Sequence, residues 1–372
     1  MNSRLSQVAA AEQSIWLDYI HRGMFASGKL RGLIELGLRG MTSNPTIFEK
    51  AISSGNDYDD QLATLVGKEQ DPRQIFEALA VKDIRSACDE FRPLYEATSG
   101  SDGFVSIEVS PTLAYDTAGS IAAAQHLFQL VDRPNVMVKI PGTAEGVPAI
   151  AAAIELGINI NVTLLFSVEQ YEASAHAYLT GMERRLSRGE PVQKIASVAS
   201  VFVSRIDSVV DAQLKTRIEQ GAQVEPLLGK AGIANSKLIY ERYKQIFSGG
   251  RWSALQAQGV RVQRPLWGST STKNPAYHDL MYVENLIGRH TVNTVPVKTL
   301  DALLNHGRIV ADTIESDLAG ARATLEELAQ ARISLFEVGH KLQLDGVAAF
   351  ADSYKALLAA IALKQKQLKA QA

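Results

Sequence analysis

Polar residues interrupt several apolar, β-type runs at spacings that would turn them to one side of a strand. In NVMVKI (135–140), Lys139 shares its alternation with Met137 against Val136, Val138 and Ile140. In FVSIEVS (104–110), Ser106, Glu108 and Ser110 oppose Val105, Ile107 and Val109. In GININVTLLF (157–166), Asn159, Asn161 and Thr163 oppose Ile158, Ile160, Val162 and Leu164. Asp18 stands similarly opposite Leu17 and Tyr19 in SIWLDYI (14–20). Alternate residues of a strand face opposite ways, so each run has an apolar side and a side bearing reactive groups. Burying such groups costs several kcal/mol unless they are paired or functional. Taken singly, each has an ordinary explanation: a strand-end lysine snorkels to water, a lone carboxylate reaches a rim ion pair. Their convergence near the C-terminal ends of neighbouring strands is what points to a reaction centre.

The chemistry follows from the residue types. A lysine in a confined, partly apolar site has its charged form disfavoured, and the neutral amine attacks a ketone. The protonated imine that results is an electron sink for cleavage of the adjacent carbon–carbon bond. Such a reaction needs a proton acceptor beyond that bond and a group that manages water, roles that suit Asp18 and Glu108. A phosphorylated substrate would be held by loops after the last strands, where Arg205, Ser269 and Lys273 are the candidates. GSTST (268–272) lacks the spacing of a nucleotide-binding P-loop.

These residues need a scaffold that aims several strand ends at one point. Eight short apolar runs occur: 14–20, 38–44, 103–110, 135–140, 157–166, 195–204, 260–268 and 291–296. Helix-forming stretches follow them, as in 117–131 and 145–157, and strands alternating with helices make a parallel sheet. Eight units predict an α/β fold of the closed (β/α)8 TIM-barrel type with extra N- and C-terminal helices. Residues 1–372 read as one domain, with a barrel core of about 14–300 and a helical extension over 301–372. The stretch 45–102 should hold two or more helices. Long amphipathic helices are expected after Pro296, with Asp345 opening the last. They would cover the active site or make a homodimer contact. Arg205 breaks the alternation of Ser200 and Phe202, so a bend or bulge is expected there.

Composition narrows the function classes. Forty-six per cent hydrophobic and 21 per cent charged residues describe a globular chain, and a net charge of −2 does not favour nucleic acid or an acidic membrane as partner. The apolar stretches read from the strand pattern are too short to span a bilayer, and the N-terminus lacks a cationic segment followed by an apolar one. The single cysteine, Cys88, fits a reducing cytoplasm. Seven histidines without metal-ligand spacing predict no metal site, and the lysine chemistry needs no cofactor.

The segments SIWLDYI, GMTSNPTIF, SIEVSP, VMVKIPGT, ININVTLLFS, SVASVFVSRID, PLWGSTSTKNP and TVNTVP resemble, in order, the motifs of transaldolases. The resemblance spans residues 14 to 296 and is nearest to the longer bacterial branch. It implies that Lys139 forms the Schiff base, that Asp18 is the acid/base at the cleaved bond, and that Glu108 with Thr163 holds the catalytic water. It further implies Thr42, Asn44, Asn161 and Ser200 for the dihydroxyacetone part, Arg205, Ser269 and Lys273 for the phosphate, and Phe202 for the pocket wall. The activity implied is transfer of a dihydroxyacetone unit between sugar phosphates. Val201 and Ser204 beside Phe202, and Lys273 for the usual arginine, depart from shorter family members. A fructose-6-phosphate aldolase shares the fold and the lysine, but usually has Gln and Tyr where this chain has Glu108 and Phe202. A barrel without catalysis, serving as a binding protein, should have lost Lys139, Glu108 or Asp18.

Overall fold

A computed structural model describes residues 3–53, 55–66 and 71–371. Eight strands, β1 (Gln13–Asp18), β2 (Gly40–Thr42), β3 (Phe104–Glu108), β4 (Val136–Pro141), β5 (Ile160–Leu165), β6 (Ser197–Phe202), β7 (Arg264–Gly268) and β8 (Thr291–Val295), close into a parallel barrel in sequence order. All eight runs read from the sequence contain strands, most of them shorter than the run, while β1 begins and β4 ends one residue outside it. Helices surround them, so the barrel is the expected (β/α)8 architecture. The stretch after β2 holds three helices, Pro45–Ser53, Asp59–Val66 and Pro72–Ala97.

The alternation in the strands becomes two layers inside the barrel. The lower layer is an apolar plug in which Trp16, Phe104, Met137, Val198, Leu266 and Val292 pack together. One pleat higher the same strands turn Asp18, Ser106, Glu108, Lys139, Ser200 and Thr294 inward. The opposite parity, including Leu17, Val105, Val138, Ile160 and Val162, joins the large core beneath the helices. Gly40 belongs to the plug through what it lacks: a Cβ there would lie 2.6–2.7 Å from the Trp16 indole.

Local sequence sets the strand-to-helix turns. Ser167 begins the helix Val168–Ser187 with a capping box, its Oγ accepting from Gln170 N at 3.3 Å while Gln170 Oε1 accepts from Ser167 N. Asp116 caps Thr117–Val131 through Gly119 N at 2.9 Å.

Three expectations need correction. Strict alternation had Leu164 facing the helices with Val162, but β5 shifts register between Val162 and Leu165. Leu164 takes φ +60° and turns to the barrel mouth, leaving Leu165 to fill the helix side. Arg205 needs no bulge in β6, because the strand ends at Phe202 and Arg205 lies in the first turn of the helix Ser204–Glu219. Asp345 does not start a helix. One helix runs Leu335–Gln371, with Asp345 inside it paired to Lys341 at 2.7 Å, while the stretch before it breaks into Val297–His306 and Leu318–Gln330. By length and composition alone that last helix could cross a membrane; here one face packs across the barrel mouth.

Replacing Gly40 by Ala forces the indole of Trp16 to move in a close-packed plug. Gly40→Ala should therefore lower unfolding stability by about 1–3 kcal/mol, measured by denaturant titration. An unchanged midpoint would show that the plug has slack the structure does not reveal.

Candidate active site

The polar layer opens upward into a pocket of about 220 Å³. Its base is Lys139, 4% exposed at the upper end of β4. The ammonium lies 3.0 Å from Glu108 Oε2 and donates to the carbonyl oxygen of Ser43 at 3.0 Å. Register explains the pairing, since Glu108 on β3 and Lys139 on β4 are Cα partners. The contact with Glu108 is close but poorly aligned. Both Glu108 oxygens, and Thr163 Oγ1 on β5, are buried without a hydrogen-bond partner. At 3.0 Å the two groups still interact strongly as charges, since a charge interaction depends on distance more than on angle.

Asp18 faces the same pocket from β1. Thr42 Oγ1 donates to Asp18 Oδ1 at 2.7 Å, and Thr294 Oγ1 lies 2.7 Å from Thr42 Oγ1, so it donates in turn. A second chain runs from Ser200 Oγ to Asn161 Oδ1 at 2.6 Å, then from Asn161 Nδ2 to Ser106 Oγ at 3.0 Å. It ties β6, β5 and β3 together across β4. Asn44 begins the helix Pro45–Ser53, accepting from Ile47 N at 2.9 Å.

Cations stand on the far side. The Arg205 guanidinium lies over the Phe202 ring, 5.2 Å from its centroid, and Phe202 in turn meets Phe166 edge-on at 5.5 Å. Lys273 donates to Ser271 Oγ at 2.7 Å in the loop after β7. Ser269, at the start of that loop, takes φ +52° and accepts from Ser204 N at 3.0 Å. A non-glycine residue in that region costs about 1 kcal/mol or more, and such strain concentrates at functional loops.

Burial dominates the titration of the carboxyls. It pushes Asp18 up, against the pull of Lys139, the Thr42 hydrogen bond, Arg205 and Lys273. It pushes Glu108 up as well, opposed by Lys139 and assisted by Asp18. Burial lowers Arg205, which Asp18 partly restores, and it lowers Lys273 together with the neighbouring Arg205. A buried amine with one carboxyl behind it and another facing it across the pocket, and two poorly solvated cations beyond, suit addition to a carbonyl of an anionic substrate.

Of the residues named from the sequence, Asp18, Thr42, Asn44, Lys139, Asn161, Thr163, Ser200, Phe202, Arg205, Ser269 and Lys273 all line this pocket. Glu108 does not. It stands behind Lys139 and borders a neighbouring cavity of about 180 Å³ with Ser43, Phe48 and Tyr354. Sequence reading missed Ser43, Ser106, Thr294 and Phe350. Ser106 and Thr294 carried a usable signal, the inward parity of their strands. Ser43 contributes a carbonyl, which no side chain betrays, and Phe350 comes from the distant C-terminal helix. Elsewhere the fold gathers His278, Asp279 and His306 at the surface with ligand atoms within 4.8 Å of one another, a grouping that no local spacing showed. None of the three lines the pocket.

A family model described as transaldolase/fructose-6-phosphate aldolase matches residues 15–361. The chain is 43% identical to a transaldolase of Trichodesmium erythraeum, covering 99% of each chain. It is 47% identical to a transaldolase of Thiobacillus denitrificans, over 95% of this chain and 98% of that one. A transaldolase of Parafrankia is 45% identical, over 96% and 97%.

The direction of the Asp18 shift predicts a stability effect. A carboxyl whose pKa is raised on folding contributes stability that is full below its ordinary value of 3.8 and lost as pH climbs through the folded value. Asp18→Asn should therefore melt higher than wild type at pH 8, and the gain should vanish as pH falls below 4. A variant that melts lower at pH 8 would mean that the cations around Asp18 outweigh its burial.

Proposed function

The chain belongs to the transaldolase/fructose-6-phosphate aldolase family, and on that premise we propose how its pocket works. It is an enzyme, a transaldolase. It moves a dihydroxyacetone unit from a ketose phosphate, fructose 6-phosphate or sedoheptulose 7-phosphate, to an aldose phosphate, glyceraldehyde 3-phosphate or erythrose 4-phosphate. That transfer belongs to the non-oxidative pentose phosphate pathway.

In this reading Lys139 adds to the ketone carbonyl after passing a proton to Glu108, 3.0 Å away. That contact is the observation that carries the proposal, because it gives a buried ammonium a neighbour able to take its proton. Water lost on imine formation is managed by Glu108 and Thr163, whose buried oxygens lack other partners. Asp18 then removes the proton from the hydroxyl beyond the scissile bond. The bond breaks, the aldose phosphate leaves, and the electron pair remains on Lys139 as an enamine. Thr42, Asn44, Asn161 and Ser200 hold the hydroxyls of the three-carbon unit. Arg205, Ser269 and Lys273 hold the phosphate, and Phe202 fixes the Arg205 guanidinium by stacking.

No cofactor takes part in these steps. The helices beyond residue 300 belong to the same domain, since the last of them lines the pocket through Phe350. The work is done in the cytoplasm, which suits the single buried Cys88. A homodimer would use the outer face of the C-terminal helix, where Phe336, Leu344 and Leu363 are exposed.

Incubation with fructose 6-phosphate and borohydride should add an irreversible mass to the peptide containing Lys139. A folded protein without an adduct would sink the proposal. Lys139→Ala should fold, because the buried Glu108 carboxyl then takes a proton, and should lose both adduct and activity. Kinetics should be ping-pong, with little ketose turnover until an aldose acceptor is added. Rapid release of dihydroxyacetone without acceptor would identify a fructose-6-phosphate aldolase instead.

A further inference from the structure

The C-terminal helix brings an aromatic ring to the reacting amine. Phe350 is 5% exposed, lines the pocket, and sits with its ring centroid 6.0 Å from Lys139 Nζ. Lys139 is thus enclosed by the Ser43 carbonyl, Glu108 and this ring. The ring is held firmly. Seven residues earlier, Gln343 Nε2 donates to the carbonyl oxygens of Gly142 at 2.9 Å and Leu164 at 3.0 Å. Leu164 is the residue whose left-handed backbone turns it to the mouth, so the helix grips the barrel at its irregular point. Gly346 permits the close approach, since a Cβ there would meet Leu164 Cδ2 at 2.9 Å. Beyond the ring, Ser353 accepts from Thr46 Oγ1 at 2.8 Å, and Tyr354 packs edge-on against Phe76 at 5.8 Å.

We propose that Phe350 determines specificity for transfer over release, by shielding the enamine of the Lys139-bound three-carbon unit from protonation by bulk solvent until an aldehyde arrives. The inference rests on the transaldolase reading above. After carbon–carbon cleavage the enamine has two fates. It attacks an aldehyde and transfers its unit. Otherwise it takes a proton at the carbon where the bond broke, giving the iminium, and one water then adds to the neighbouring C=N carbon, the carbon–nitrogen bond breaks and dihydroxyacetone leaves, with Lys139 left as its ammonium. Only the second route needs a proton from solvent at the enamine carbon, and the Phe350 ring covers part of the pocket mouth beside the amine through which solvent would reach it. Both routes end in hydrolysis of an iminium by one water, so what separates them is the electrophile the enamine carbon meets first, and a dry aromatic cover disfavours the solvent proton against the aldehyde.

The test compares two rates on the full chain with fructose 6-phosphate: acceptor-free dihydroxyacetone release, and transfer to erythrose 4-phosphate. Phe350→Ala should raise the ratio of release to transfer by about tenfold, while Phe350→Leu, which keeps an apolar cover, stays near wild type. A ring that merely supports the fold would slow both rates together, and that result would overturn the proposal. Equal ratios in wild type and Phe350→Ala would overturn it too. If the alanine variant does not fold, Phe350→Gln, of closer volume but polar, is read the same way. Borohydride trapping on wild type separates the two readings. No adduct removes the transaldolase mechanism itself, whereas an adduct with an unchanged ratio removes only the role of Phe350.

Discussion

An ammonium and a carboxylate taken out of water each lose hydration worth several kcal/mol, and only close mutual contact repays it. Lys139 and Glu108 meet that condition because neighbouring parallel strands bring them level, 3.0 Å apart. Nearly everything above the apolar plug serves this contact. The Ser43 carbonyl supplies a second acceptor for the ammonium, and the Ser200–Asn161–Ser106 chain braces the flanking strands. The plug itself, built around Trp16 against Gly40, closes the barrel below. A pair so enclosed has little solvent to stabilise either charge, and burial therefore raises the carboxyl.

The pocket is electrically divided. Carboxyls gather at the strand ends of β1 and β3, cations at the loops and helix after β6 and β7. That separation suits a substrate with a carbonyl at one end and a phosphate at the other. Asp18 lies between, close enough to both groups that Lys139, Arg205 and Lys273 all act on it. Burial still outweighs their combined pull, which keeps Asp18 suited to exchanging a proton.

The C-terminal helix supplies what the barrel lacks. Without that helix the barrel mouth above Lys139 would be more open to water. Phe350 lines that mouth with its ring centroid 6.0 Å from the amine, and the helix is fastened to the rim through Gln343 and through contacts with the helix after β2. The fastening uses the carbonyl of Leu164, where β5 departs from regular geometry, and that of Gly142, just past β4. Irregularity in the strand and closure of the site are thus one feature.

Sequence alone determined the number of strands, their inward sides and most of the pocket, because a strand's period of two and a helix's period near 3.6 are local properties. Lys139, Glu108, Asp18, Asn161 and Thr163 were legible for that reason: a polar residue in an apolar run is conspicuous. Tertiary structure decided what depends on neighbours distant in the chain. Register between β3 and β4 set Glu108 level with Lys139, and the helices packed over β3 left it bordering a neighbouring cavity instead of the open pocket. A single left-handed residue, Leu164, reversed a face that strict alternation had assigned, and no composition signal marks a leucine for that conformation. Asp345 looked like a helix start because capping residues are also good exposed partners in an i, i+4 pair, and only the packing of the helix across the barrel told the two apart. Phe350 is one apolar residue among many on an amphipathic helix. Periodicity says that it is buried, and only the closed fold says that it is buried against an amine.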